Sequence, residues 1–222
     1  MLTVHHLNNS RSQRVLWLLE ELGTPYEIKK YERTPQQRAP PELLAISPLG
    51  KSPVITDGSV TLAESGAIVE YLIGKYGNGK AVPTDSGYLD NLYFTHYAEG
   101  SFMPIVTQKY IFDFIPKQAP FFIRPILSLV FGQLDKQFVQ PEMTKHLTLI
   151  EAHLSKSQSV WFAGGAEPTA ADYQMAFPLE ALVAYTPGSV GPSIKKFVDA
   201  VHSREAYSKA LEKGGPYSYA TM

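Results

Sequence analysis

Near Pro83 the hydrophobic pattern of this chain changes its period, and few architectures accept such a change. Upstream, short stretches of strand and helix character alternate. Leu2-Thr3-Val4 is β-favouring and brief, while Val15, Leu18, Leu19 and Leu22 fall at i, i+3, i+4 and i+7, one face of a helix. Gly23 and Pro25 end that helix. Residues 26–31 alternate apolar and charged side chains, a second strand that a βαβ crossover sets parallel to the first. A proline-rich connection over 34–41 and a helical turn over 42–46 lead to a hairpin, Val54-Ile55 against residues 60–62 with a turn at 56–59. Glu64-Ser65-Gly66 then opens a helix whose Ile68, Val69, Leu72 and Tyr76 share a face. The order βαβ, irregular helix, ββα is that of a thioredoxin-like α/β domain.

Downstream of Pro83 the periodic segments are long, the Gly/Pro punctuation is sparse and no alternating strand stands out. The spacing predicts helices over 88–114, 125–155, 171–184, 193–203 and 205–213. The expected organisation is a thioredoxin-like domain at residues 1–80, a linker at 81–87 and an all-helical domain at 88–222. With 222 residues and 44% hydrophobic content, the chain should bury roughly 70% of its unfolded surface.

Composition narrows the chemistry. The formal charge of −1 is not segregated: residues 1–85 hold nine Lys/Arg against nine Asp/Glu, and the remainder eleven against twelve. That balance does not mark a protein built for nucleic acid or for an anionic membrane. There is no cysteine, so disulfides, thiolate metal sites and a protein thiol nucleophile are excluded; any thiol must come with the substrate. His5 and His6 are neighbours on a strand and point to opposite faces, and His146 and His153 lie two helical turns apart, too far for one ion, so no metal is predicted. Residues 1–25 lack a basic start followed by an apolar core, which makes a soluble cytoplasmic protein the expectation. The most apolar later run, 119–131, contains Pro120, Arg124 and Pro125 and is too short to span a bilayer; peripheral contact stays open.

Three places could carry chemistry. Asn8-Asn9-Ser10-Arg11-Ser12-Gln13-Arg14 joins the first strand to the first helix, whose N-terminal N–H groups and dipole favour an anion or a developing negative charge. A serine there is more often a plain helix cap, and the segment by itself reads that way. Ser52-Pro53 opens the third strand; a cis bond there would turn the main chain of Ser52 outward to pair with an extended ligand, although trans is the commoner form. Glu64-Ser65 sits at a helix mouth, where it could clamp an amino-acid head group or serve as a cap with a favourable acid. Thr169 and Asp172 have capping-box spacing, and Asp172 is assigned to folding.

Taken together, the segments 10–22, 47–54 and 64–68, in that order and spacing, closely resemble a cytosolic glutathione transferase of the serine type. The similarity continues through residues 96–104, the Thr169–Asp172 box and Gly214-Gly215-Pro216-Tyr217, and is closest to the theta-related fungal and bacterial subgroup. The resemblance implies glutathione as co-substrate, with no other cofactor. Ser10 would donate to its sulfur, with Asn9 as the rival donor, while Ser12, grouped with them at this junction, keeps the structural reading of a cap. Ser52, before Pro53, would pair with the cysteinyl backbone; Glu64 and Ser65 would hold the γ-glutamyl head group; Lys51 and Arg38 are candidates for the glycine carboxylate. Tyr97, Met103 and Tyr110 would border a pocket for small apolar electrophiles or hydroperoxides, interhelical packing being the plainer fate of such side chains. A homodimer is implied, and conjugation or hydroperoxide reduction in detoxification; a non-catalytic binding protein and an interaction module on the same fold are the alternatives. Ser47 stands where an asparagine is usual, and Ser52 where an apolar residue is.

Overall fold

Strand β1 (Leu2–Leu7) runs past its predicted apolar triplet because His5 and His6 continue it with both side chains buried. In the computed structural model, which describes residues 1–186 and 188–220, the N-terminal part continues as α1 (Ser12–Leu22), β2 (Glu27–Tyr31), α2 (Pro41–Leu44), β3 (Val54–Asp57), β4 (Val60–Ala63) and α3 (Ser65–Tyr76). The sheet order is β2-β1-β3-β4. β1 and β2 are parallel, as the crossover requires, and β3 pairs antiparallel with both β1 and β4. Asp57, at the end of β3, accepts from Lys75, Tyr71 and Tyr76 and so ties α3 to the sheet. This is a thioredoxin-like layer.

The rest is helical: a 3₁₀ turn at Asp85–Gly87, then α4 (Tyr88–Tyr97), α5 (Met103–Gln118), α6 (Arg124–Leu134), α7 (Gln140–Lys156), α8 (Ala170–Tyr185), α9 (Pro192–His202) and α10 (Glu205–Gly214). The two long helices expected from periodicity are each interrupted by one wide π turn, Ala98–Phe102 between α4 and α5 and Asp135–Val139 between α6 and α7. Such turns insert a residue and re-aim the side chains around them, often at functional sites. Here they carry Glu99 and Asp135 inward toward Arg14 and Lys109. At the start of α8, Asp172 accepts from the Thr169 N–H and hydroxyl and from the Phe162 N–H, the capping box expected from spacing with two donors added.

α1 departs most from its sequence pattern. An amphipathic helix should bury one face, yet every residue from Ser12 to Leu19 is buried. The reason is that α3 and β1 cover one side while α8 and α10 cover the other. Trp17 packs against Tyr173 of α8 at 4.5 Å and edge-on to Tyr207 of α10 at 6.1 Å. Gly214 allows the approach of α10, since a Cβ there would lie 2.9 Å from the Gln13 side chain and 3.0 Å from Leu16. Among the described residues no helix is long and apolar enough to cross a membrane.

The polar seam between the layers centres on Glu99. Arg11 reaches both its oxygens at 2.9 Å and Arg14 Nη1 one of them at 2.9 Å. Burial alone would raise the Glu99 carboxyl, but Arg14 and Arg11 hold it below the ordinary glutamate range. A carboxyl whose pKa falls on folding contributes stability above its unfolded pKa, and that contribution is lost as pH falls through the folded value. The wild type is therefore expected to lose more stability than Glu99→Gln between about pH 5 and pH 3, while the variant is the less stable of the two at neutral pH. Urea denaturation midpoints across that range measure both; parallel pH curves would remove Glu99 from the seam's energetics.

Candidate active site

Strand register brings the three sequence motifs to one edge of the sheet. His5 pairs with Val54 and Val54 with Ala63, so the end of β1, the Ser52-Pro53 entry to β3 and the Glu64-Ser65 exit from β4 lie side by side. The Ser52–Pro53 peptide is cis and Pro53 is buried. The contact expected between Ser52 and a ligand uses its main chain, and its side chain is engaged within the protein. Its hydroxyl accepts from the Leu7 N–H at 3.2 Å and from Ser10 at 3.3 Å and donates to the His5 carbonyl at 3.0 Å. An apolar residue at this position could make none of these bonds.

Ser10 and Ser12 are both buried but differently bound. Ser12, the first residue of α1, lies 2.6 Å from His6 Nδ1, a contact that engages its hydroxyl whichever ring nitrogen carries the proton. Burial first, and then Lys30, depress His6 to about 4, so this imidazole is neutral at neutral pH. Ser10 Oγ accepts the Ser12 N–H at 3.2 Å, and its contacts to the Ser12 and Ser52 hydroxyls, at 3.1 and 3.3 Å, are long for O–H···O bonds. Ser10 is thus the serine whose proton is weakly committed. Asn9, in a left-handed conformation, turns its amide oxygen to the Ser218 N–H at 2.8 Å, which ties the C-terminal segment over this junction.

Ser65 is buried at the start of α3, and its hydroxyl donates to Gln174 Oε1 at 3.2 Å. Gln174 returns Nε2 to the Ser65 carbonyl at 3.0 Å and accepts from Arg14 Nη1 at 2.6 Å. Glu64, which precedes α3, is exposed and has a positive φ of 68°. Lys51 is exposed beside the cis peptide, and Arg38 is exposed on the turn that follows β2, closed by the Thr34 N–H to the Arg38 carbonyl at 2.9 Å.

A cavity of about 330 Å³ opens next to this edge, lined by Arg11, Met103, Tyr110, Phe177, Tyr185 and Tyr219 among others. Two of the three expected pocket residues, Met103 and Tyr110, are on its wall. Tyr97 is not: it is buried in the helical layer, hydrogen-bonded to His146 and stacked on Tyr93 at 5.4 Å. Phe177 carries the guanidinium groups of Arg11 and Arg14 over its ring at 5.3 and 5.2 Å.

His6, Arg14, Glu99, Gln174, Phe177 and Tyr219 are the site residues that sequence reasoning missed. Only Arg14 left a signal, as a charge three and four residues before Trp17 and Leu18 and so on the same side of the helix. His6 meets Ser12 only six residues away, within the N-terminal layer, whereas Gln174 is 160 residues from Arg14 and Ser218 is 209 from Asn9.

Residues 1–73 match the family model described as the N-terminal domain of glutathione S-transferase. The chain is 38% identical to glutathione S-transferase 3 of Schizosaccharomyces pombe, over 96% of this chain and 88% of that protein. It is 30% identical to glutathione S-transferase 1 of Saccharomyces cerevisiae, over 96% and 95% of the two chains. Its fold is similar to the crystal structure of a glutathione S-transferase from Actinobacillus pleuropneumoniae, with a TM-score of 0.75 and 28% identity across 99% of this chain and 95% of that one. With the sheet edge, the cis turn and the helical layer in the arrangement described above, the chain belongs to the glutathione S-transferase family.

Proposed function

We propose that the site holds glutathione along the sheet edge and keeps its thiol ionised for transfer to an apolar electrophile, as a serine-type member of the theta-related subgroup. In this reading the Ser52 main chain pairs with the cysteinyl backbone as an added strand. Glu64 takes the γ-glutamyl ammonium and Ser65 its carboxylate, while Lys51 or Arg38 meets the glycine carboxylate. The cavity beside Met103 and Tyr110 receives the electrophile.

The observation that carries the reading is the difference between the two serines. Ser12 is committed to His6 at 2.6 Å, whereas Ser10 makes only long bonds to other hydroxyls and can turn its proton to a sulfur at small cost. A free thiol ionises near pH ~8.5, so only a few per cent is thiolate at neutral pH. A hydroxyl donating to the anion lowers that pKa, and Ser10 itself stays protonated. With its pKa near 4, His6 is no base at neutral pH, so the thiol proton leaves to solvent. The thiolate sulfur then bonds to the electrophilic carbon, and the leaving group departs with its electron pair; held in the cavity, the second substrate sits within attack distance. The same thiolate can attack the outer oxygen of an organic hydroperoxide: an S–O bond forms as the O–O bond breaks, the alkoxide takes a proton from solvent and leaves as the alcohol, and a second glutathione converts the sulfenic acid to the disulfide and water. We also propose a two-fold dimer through the outer face of α4, where Tyr88, Leu89, Leu92 and Tyr93 are exposed, and a sedimentation mass of one chain would contradict it.

Ser10→Ala is expected to lower kcat/KM toward a chromogenic aryl halide by about 10–100-fold at neutral pH, the worth of one hydrogen bond to a charged group, and to move the pH–rate profile upward. An unshifted profile would assign the sulfur to another donor, with Asn9 the first to test. Tight glutathione binding with no turnover by the wild type would assign a binding protein instead. Ser65→Ala removes a head-group donor distant from the sulfur. It should raise KM for glutathione about tenfold and leave kcat within about twofold, and a fall in kcat alone would contradict the head-group role.

A further inference from the structure

α5 and α6 form a hairpin that projects a face the fold does not use. α6 buries none of its residues, and α5 buries only Met103, Val106 and Pro116. Phe112 and Phe131 pack edge-on at 5.4 Å inside the hairpin, so its apolar outer positions are surplus to its own packing. At the tip Phe121 is 81% exposed and Phe122 65%, with Ile126 at 63% and Leu129 at 68% just behind. The turn is closed: Arg124 Nη2 donates to the Lys117 and Ala119 carbonyls, each at 3.3 Å, and Phe121 packs edge-on to Phe122 at 5.6 Å. The aromatic pair is therefore displayed on a formed turn. A contiguous apolar surface of this kind on a water-soluble fold marks an interaction site.

Charge selects the occupant. Between Phe114 and Leu134 the only charged residues are Lys117 and Arg124, both basic and both at the tip. Counting charge over half the chain averages this stretch into neutrality, which is why the composition argued against an anionic surface. A second copy meeting the tip across a two-fold axis would set these cations against their own images. A surface that is apolar within and anionic at its boundary satisfies both features. We propose that the α5–α6 tip docks on an anionic phospholipid membrane, with Phe121, Phe122 and Ile126 entering the acyl boundary and Lys117 and Arg124 meeting the phosphates. The cavity beside Arg11 shares Tyr110, Phe114 and Lys117 with the same hairpin, so docking sets its mouth near the lipid.

The test is co-sedimentation of the full chain with vesicles of phosphatidylcholine alone or mixed with phosphatidylserine, at low and high salt. The wild type should pellet with the anionic vesicles at least about tenfold more than with the neutral ones, and salt should release it. The doubly substituted Phe121→Ser/Phe122→Ser protein should stay in the supernatant while keeping its circular dichroism spectrum and melting temperature, and Arg124→Gln should weaken binding about fivefold. A wild type that stays in solution with anionic vesicles overturns the proposal, and so does a double variant that pellets as well as the wild type. Conversion of a dimer to a monomer by the double substitution in the absence of lipid would overturn it as well, assigning the tip to a second copy.

Discussion

Arg14 is 2% exposed, and a guanidinium keeps its charge at any pH the fold survives, so everything around it must answer that charge. Three groups do so: the Glu99 carboxylate, the Gln174 side-chain carbonyl and the face of Phe177. Glu99 comes from the π turn after α4, and Gln174 and Phe177 come from α8, so the cation on the N-terminal helix is neutralised entirely by the helical layer. Removing any of them would leave a buried charge short of a partner, which costs far more than the pair contributes relative to apolar packing. Among the described residues Nε and Nη2 of Arg14 have no hydrogen-bond partner, and the Phe177 ring lies 5.2 Å from the guanidinium carbon.

The same residue reaches the sheet edge through Gln174. Gln174 accepts from Arg14 and from Ser65 with one oxygen, so the position of the Ser65 hydroxyl is set by a charge on another helix. Ser65 opens α3 on one side of the sheet edge and Ser10 precedes α1 on the other. Both helices are pressed against α8, one through Trp17 and Tyr173 and the other through Ser65 and Gln174. The spacing between the Ser65 and Ser10 hydroxyls is thereby fixed by the packing of α1 and α3 on α8.

What could be read from sequence follows from the range of the interaction. Strand and helix order was legible because period-2 and period-3.6 patterns are local, and so was the Thr169–Asp172 box, whose partners are three residues apart. The sheet edge was legible only through motif order, since Ser10, Ser52 and Glu64 are joined by strand register. The Ser12–His6 contact crosses a tight junction, and nothing in its spacing distinguishes it from an ordinary cap. Gln174 was invisible because its partners are more than a hundred residues away and a glutamine on an apolar helix has no periodic signature. Tyr97 and Tyr110 looked alike as helical aromatics; the π turn that begins at Ala98 separates them, leaving Tyr97 in the core with His146 and letting α5 carry Tyr110 to the cavity. The full burial of α1 had a legible sign: Leu16 and Trp17 lie off its predicted apolar face, and an apolar residue there needs a second layer to cover it.

The hydroxyl at position 52 bears on how the sheet edge stays ordered in a chain without cysteine. It ties the end of β1 to the loop before β3 with three bonds, to Leu7, His5 and Ser10. An apolar residue would leave the Leu7 N–H to find another acceptor and would leave Ser10 with Ser12 alone. Ser10 is therefore held at an intermediate tension, fixed in place by the Ser12 N–H and flanked by two hydroxyls at distances too long to trap its proton. A donor bound more tightly would have to break a strong bond to serve an incoming anion, and one bound less tightly would lose entropy on each encounter. The departure at Ser52 is thus part of what makes Ser10, rather than its neighbour on α1, the hydroxyl available at this edge.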